Sequence, residues 1–199
     1  VASCSLASHI ALEEAGAEYE AIRVDFKTNQ QQSPDYLALN PKGRVPTLIT
    51  DRGIISETPA ILAYIAQTHR AAELAPIDDP FAFAEVQAFN SYLCSTVHVG
   101  HAHRIRGSRW ADDPAAHQAM KVKVTQNMSD YFEIIENRMF CSPWVMGEQY
   151  SIADPYLFTL SNWLEGDGVD IKKFPRVAGH FERMKERPAV AKVLAVVNA

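Results

Sequence analysis

The sequence predicts two units of different character: an α/β unit over residues 1–74 and an all-helical unit over 81–199, joined by a linker at 75–80. Three observations predict this. Helix and strand signals alternate through the first unit. Ala75-Pro76-Ile77-Asp78-Asp79-Pro80 then gathers two prolines and two acids in six residues, the punctuation of a linker. Beyond it no strand candidate persists, only runs with helical spacing.

Each element follows from its own pattern. Ser5 to Ala15 carries apolar residues at Leu6, Ile10 and Ala11, and Gly16 stands where a helix stops. Ile22, Val24 and Phe26 alternate with Arg23 and Asp25, the pattern of a half-buried strand. Ser33 caps a short helix that Pro34 opens and that runs to Leu39. Val45 to Thr50 and Ile54 to Ser56 read as a hairpin across Asp51-Arg52-Gly53, with Gly53 free to take the left-handed conformation of a tight turn. Thr58-Pro59 repeats the cap signal before Ala60 to Thr68, which buries Ile61, Leu62 and Ile65.

In the second unit, Phe81 to Arg106 reads as one long helix with Val86, Phe89, Leu93 and Val97 facing the core. Pro114 opens a second long helix to Met139. Ser151-Ile152-Ala153-Asp154 is a capping box, with Asp in the usual place of Glu, heading a third. Shorter helices at 175–186 and 189–197 are divided by Pro188.

Composition narrows the function classes. The 199 residues are 47% hydrophobic and 22% charged, which suits a folded chain and excludes wholesale disorder. No apolar run approaches the ~18 residues of a membrane span. The N-terminal stretch lacks the basic region of a secretory signal. A net charge of −5 argues against a general nucleic-acid binder. Cys4, Cys94 and Cys141 match no metal or disulfide spacing, and a sparse, odd set suits a reducing cytoplasm.

Several residue groups can carry chemistry. Cys4 and Ser5 stand immediately before the first helix, where unpaired N–H groups and the dipole favour a thiolate, so a lowered Cys4 pKa is expected. The alternative is a small buried hydrophobe. Pro46 inside a strand pattern belongs at an edge or a cis turn; a cis Val45-Pro46 bond turns the Val45 backbone outward to pair with a peptide-like ligand. A plain edge strand is the alternative. Glu57 and Thr58 head a helix and suit the ammonium and carboxylate of an amino acid; ordinary capping is the alternative.

On the long helix, Ser91, Cys94, Ser95, His98 and His101 are spaced by three and four, forming a small polar stripe able to wall a cleft. A zinc site is set aside, since His103 is off the stripe and no acid lies nearby in sequence. His101 and His103 are read as solvent-exposed. Arg104, Arg106 and Arg109 face either a second-substrate pocket or solvent. Lys27, Lys42 and Arg44 are basic positions in an acidic chain.

Four segments follow in order: Ala2-Ser3-Cys4-Ser5-Leu6-Ala7-Ser8-His9, Asn40 to Leu48, Ser56 to Ile65, and Ser151 to Tyr156. With these the chain resembles the glutathione transferase family, its bacterial beta class in particular, over nearly its whole length. The resemblance implies a thioredoxin-like domain followed by a helical domain, in a cytoplasmic homodimer with detoxification chemistry. It implies glutathione as cosubstrate, a small electrophile as second substrate, and no metal. Cys4, Ser5 and His98 take the catalytic places; Val45, before the cis proline Pro46, pairs with the cysteinyl backbone, and Pro46 belongs to the same glutathione-binding turn. Glu57 and Thr58 form the γ-glutamyl clamp. Ser91 and Ser95 are further ligand contacts, and Lys27 is the nearest match to the family's glycyl-side lysine, with Asn29 the literal alignment choice.

The implied activity is conjugation of the glutathione thiolate to small electrophiles. A glutathione-dependent thiol-disulfide reductase using Cys4 is the alternative, and a noncatalytic binding or regulatory protein a second. The chain departs from the family at Val1-Ala2, where Pro-Gly is usual, and it begins where the family has already completed a first strand. That strand is therefore expected to be missing, leaving the strand at 22–26 without its ladder partner.

Overall fold

The computed structural model describes residues 3–197; Val1 and Ala2, where the family pattern is departed from, lie outside the described residues. The first unit comprises α1 (Ser5–Glu14), α2 (Pro34–Leu39), β1 (Thr47–Thr50), β2 (Gly53–Ser56) and α3 (Thr58–Thr68). Gly16 has φ +62°, as a helix stop requires. Ser33 Oγ accepts from the Tyr36 N–H at 3.2 Å, and Pro34 follows it at the head of α2. The strands β1 and β2 pair antiparallel with Thr47 opposite Ser56 and Thr50 opposite Gly53.

Residues 22–26 correct the reading as a strand. They are irregular, with Ile22 71% and Phe26 43% exposed. Among the described residues no strand runs beside them, so their backbone groups have no ladder to join. The hairpin also begins at Thr47 rather than Val45, because Pro46 has no N–H to offer.

The second unit is helical: α4 (Pro80–Tyr92), α5 (His98–Ala102), α6 (Pro114–Ile134), α7 (Ala153–Ser161), α8 (Pro175–Lys185) and α9 (Pro188–Val197). The expected single helix at 81–106 is α4 and α5 joined through a π-helical turn at Leu93–Val97, and it stops at Ala102. A second such turn, Ile135–Met139, extends α6 to the expected end. Asp79 caps α4 through the N–H groups of Phe81 and Ala82, and Asp113 caps α6 through that of Ala115.

One apolar core runs through both units. Ala7 and Ala11 of α1 and Ile61, Leu62 and Ile65 of α3 join Val86, Phe89, Leu93 and Val97, then Met128, Phe132, Tyr156 and Leu157. Ile61, Leu62 and Ile65 are at most 1% exposed, and each such burial contributes roughly 1.5–3 kcal/mol. Helix α1 is also tied to the C-terminal helices. Arg187 Nη2 reaches Glu14 Oε2 at 2.7 Å, and Lys192 Nζ reaches Glu13 Oε2 at 2.8 Å. The position of Cys4 at the head of α1 therefore depends on the helical unit.

The Ser151–Asp154 box does more than cap. Asp154 accepts from the N–H groups of Ser151 at 2.7 Å and Val145 at 2.8 Å, and from His180 Nε2 at 3.0 Å, while fully buried. Ser151 Oγ in turn accepts from the Ala153 N–H at 3.2 Å. The helix it heads, α7, is only nine residues long.

Candidate active site

The site is built where the head of α1, the turn into β1 and the head of α3 meet α5 and α7. Cys4 occupies the turn into α1, and its Sγ donates to the Val45 carbonyl at 3.2 Å. The Val45-Pro46 bond is cis, as the cis-turn reading expected and the plain-edge alternative did not. The Val45 N–H meets no acceptor among the described residues. One backbone residue thus touches the thiol with its carbonyl and keeps its N–H open.

Burial pushes the Cys4 thiol up to about 11, against lesser lowering by the Thr58 hydroxyl and the cysteine's own N–H. The expectation of a lowered pKa is therefore corrected. A helix-end dipole is worth roughly 0.3–1 kcal/mol near the surface. Desolvation of a thiolate against the core outweighs it. Ser5 opens α1 beside it, with its Oγ taking the Ser3 hydroxyl at 3.1 Å.

Glu57 sits between β2 and α3 with φ +77°, a conformation that L residues rarely hold. Thr58 is the first residue of α3 and is buried; it is not the side-chain cap the sequence suggested, and no side chain caps α3. The Glu57 carboxylate projects to solvent, where Lys42 Nζ meets it at 2.6 Å and also meets Ser56 Oγ at 2.7 Å. Lys42 is thus the lysine the fold brings to Glu57. Lys27 lies in the exposed turn at 25–28, its N–H on Asp25 Oδ1 at 2.8 Å. Asn29 takes φ +58° in the same loop.

From the helical unit comes His98, the first residue of α5. Its Nδ1 is 3.5 Å from the Tyr156 hydroxyl, and its ring lies 5.0 Å from that of Trp163. Burial first, then His101, Arg109 and Arg44, lower its pKa to about 4, with Glu57 opposing them. The imidazole is neutral at pH 7. Arg44 and Arg109, from opposite units, are both in electrostatic reach of it, and Arg109 also of Cys4.

Tyr156 escaped the sequence reading as a neighbour of the site, and Cys94 was read only as one position on the polar stripe. Tyr156 of α7, read only as part of the capping motif, is fully buried; burial first, then Cys94 and Cys4, drive its pKa far up. Cys94 lies in the π-helical turn, and burial raises its thiol as well. Position on the stripe was the signal for Cys94. The identity of Tyr156 inside a strong cap motif masked its second role.

The stripe itself is only partly kept. Ser91 and Ser95 are exposed, with Ser95 Oγ donating to the Ser91 carbonyl at 2.8 Å. His101 and His103 correct their reading as solvent-exposed. His101 Nδ1 is 2.7 Å from Asp167 Oδ2 and its side chain is 12% exposed; His103 is half-buried, its ring tilted against that of Trp110 with ring centres 4.2 Å apart. Among the described residues no group of three or more His, Cys, Asp or Glu side chains is placed to hold a metal, and no helix is long and apolar enough to cross a membrane.

The arrangement brings together an open backbone N–H, protonated S–H and O–H groups, a neutral imidazole and arginine charge. That combination suits an anionic, peptide-like thiol.

Comparisons with known proteins agree. The family description "Glutathione S-transferase, N-terminal domain" matches residues 2–67, and "Glutathione S-transferase, C-terminal domain" matches 96–188. Glutathione S-transferase GstA of Escherichia coli O157:H7 is 30% identical over 196 residues, covering 97% of this chain and 94% of that protein. A glutathione transferase homologue from Sulfitobacter, solved with bound glutathione, superposes with a TM-score of 0.95 at 43% identity, covering 98% of this chain and 94% of that one. A bacterial beta-class glutathione S-transferase from Sphingomonas chungbukensis gives a TM-score of 0.84 at 31% identity, covering 98% and 94%.

Proposed function

The chain belongs to the glutathione S-transferase family, and we propose from that membership that it conjugates the glutathione thiolate to small electrophiles. The observation that supports this most is the Val45 backbone, with its carbonyl at the Cys4 thiol and its N–H open. In this reading the cysteinyl part of glutathione pairs with Val45, which carries its sulfur towards Cys4. The γ-glutamyl end meets Glu57 and Thr58, and Ser91 and Ser95 are further contacts. Residues 1–74 are then the glutathione-binding unit and 81–199 the unit that shapes the electrophile site.

The sulfur becomes reactive by losing its proton. S–H and O–H donors, with the charge of Arg44 and Arg109, favour the thiolate electrostatically. The thiolate attacks an electrophilic carbon, a C–S bond forms, and the displaced group leaves with its electron pair. His98, uncharged at pH 7, serves as a proton acceptor beside the cleft.

Cys4 takes the donor role rather than that of a standing thiolate. Its raised pKa leaves little thiolate at neutral pH, which weighs against thiol exchange as the main activity. A homodimer working in the cytoplasm, in bacterial detoxification, completes the proposal; it follows the family resemblance and the sparse cysteines.

The test is retention on immobilised glutathione, then turnover with a chloronitroaromatic electrophile and with a glutathione mixed disulfide. Retention with conjugation is expected. Retention without either turnover would turn the reading to a binding protein, and disulfide turnover alone to a reductase.

A further inference from the structure

A second buried cluster lies one helical turn beyond His98. Asp167, in the loop after α7, has a fully buried side chain. Its carboxylate accepts from His101 Nδ1 at 2.7 Å, and Arg104 Nε lies 3.0 Å from its other oxygen. Its backbone carbonyl takes the Thr125 hydroxyl of α6 at 2.7 Å, and Arg104 Nη1 donates to the Gly166 carbonyl at 2.5 Å. Gly168 closes this loop at φ +79°, where a Cβ would come within 2.9 Å of Thr125 Oγ1. The carboxylate is therefore held by His101 of α5 and by Arg104 just beyond it, and the loop that carries it is held by Thr125 of α6.

The cluster reaches the cleft through stacked rings. The His101 imidazole lies on the Trp163 indole at 4.2 Å with 23° between planes. The same indole meets His98 at 5.0 Å and 58°. Trp163 thus meets two imidazoles three residues apart on α5, one stacked and one tilted.

We infer that Asp167 and His101 are positioning residues for His98: the buried carboxylate orients the His101 ring, which seats Trp163, and the indole sets the tilt of the His98 imidazole at the cleft. The inference rests on the reading of His98 as a participant in conjugation. A rotating imidazole would spend part of its time pointing its nitrogens away from the reacting sulfur. Removing that freedom is what an ordered supporting shell contributes. The groups facing His98 are Tyr156 from α7, Arg109 from the turn after α5, Arg44 and Glu57 from the first unit, and His101 from its own helix.

The experiment is a double-mutant cycle on the full chain with glutathione and a chloronitroaromatic. His101→Gln and Asp167→Asn are each made in the wild type and in His98→Ala. In the wild type each is expected to lower kcat about tenfold, within the ~10²-fold that a 1 Å misplacement can cost, with KM for glutathione within about twofold. In His98→Ala neither is expected to lower kcat further, since the effect passes through His98. Equal losses in both backgrounds, or no loss in either, would overturn the inference.

A second readout holds even if one variant folds poorly or His98→Ala leaves kcat unchanged. The latter result would remove His98 from the chemistry without touching the packing. The His98 ring protons lie in the ring current of Trp163, and their NMR shifts at pH 7.5 should move in His101→Gln and in His101→Phe, which keeps a ring but not the bond to Asp167. Unmoved shifts would overturn the positioning claim by themselves.

Discussion

The thiol of Cys4 and the carbonyl of Val45 are hydrogen-bonded at 3.2 Å across 41 residues of sequence. This one contact joins the helix α1 to the turn entering β1, and places a sulfur beside a backbone residue whose N–H is open. A tripeptide thiol pairing with that backbone would displace the thiol hydrogen from the carbonyl and free it to donate elsewhere. The same burial that permits the bond holds the proton on Cys4.

That burial sets the order of cysteine reactivity. Cys141 is exposed, whereas burial raises the thiols of Cys94 and Cys4. Alkylation by iodoacetamide at pH 7, followed by mass spectrometry, should label Cys141 first. Cys4 labelling should climb as pH approaches about 11. Cys4 reacting as fast as Cys141 at pH 7 would contradict the buried-thiol assignment.

Glu57 separates backbone from side-chain effects. Its φ of +77° costs a non-glycine residue ~1–3 kcal/mol. Glu57→Gly should therefore be more stable to urea than Glu57→Ala by about 1 kcal/mol or more. Both should lose glutathione affinity by about 1.5–3 kcal/mol, the worth of a hydrogen bond to a charged group. Lys42→Met should change stability little, because its pair with Glu57 is exposed. Calorimetry showing full affinity in Glu57→Ala would remove the carboxylate from the site.

Asp154 is a structural residue of larger effect than a simple cap. Its truncation leaves His180 and two backbone N–H groups without their buried acceptor. Asp154→Ala should destabilise by about 3–5 kcal/mol, as when one partner of a buried pair is removed. Glutathione affinity of the folded fraction should stay near that of the wild type. A large affinity loss at unchanged melting temperature would mean the residue serves the site.

His98 predicts an acid-side loss of stability. Its folded pKa of about 4 lies below the ordinary 6.5, so the unfolded chain binds the proton first as pH falls. The stabilisation tied to the neutral imidazole is complete above about 6.5 and is lost progressively as pH drops towards about 4. Urea unfolding at pH 7.5 and 4.5 should show His98→Gln losing less stability on acidification than the wild type. Equal losses would place His98 in a more solvated setting.

Local chemistry made much of the fold readable. Ser33 with Pro34, Gly16, Gly53 and the Ser151–Asp154 box each act through neighbouring backbone, and each appears where its residue type demands. The inward positions Val86, Phe89, Leu93 and Val97 are buried as their spacing required. The cis bond before Pro46 followed from position and resemblance, whereas the contact of Cys4 with the Val45 carbonyl was not foreseen. What stayed hidden depends on distant chain. The π-helical turn at 93–97 rotates His98 and His101 relative to Ser91, and apolar spacing tolerates that extra residue. The partner of His101 is 66 residues away, so a histidine that looked exposed is an anchored one. The Cys4 pKa turns on desolvation by packed core, which no helix-end rule contains. Residues 22–26 alternate like a strand but have no neighbour to pair with among the described residues.

The central claim is that glutathione's own sulfur, not Cys4, is the nucleophile, and one variant tests it most directly. Conjugation of a chloronitroaromatic and reduction of a glutathione mixed disulfide are measured on Cys4→Ala beside the wild type, with glutathione affinity determined for both. Substantial conjugation should survive in Cys4→Ala, or rise if Cys4 otherwise traps glutathione as a disulfide, while any mixed-disulfide reduction disappears. Loss of conjugation with glutathione binding intact would contradict the account.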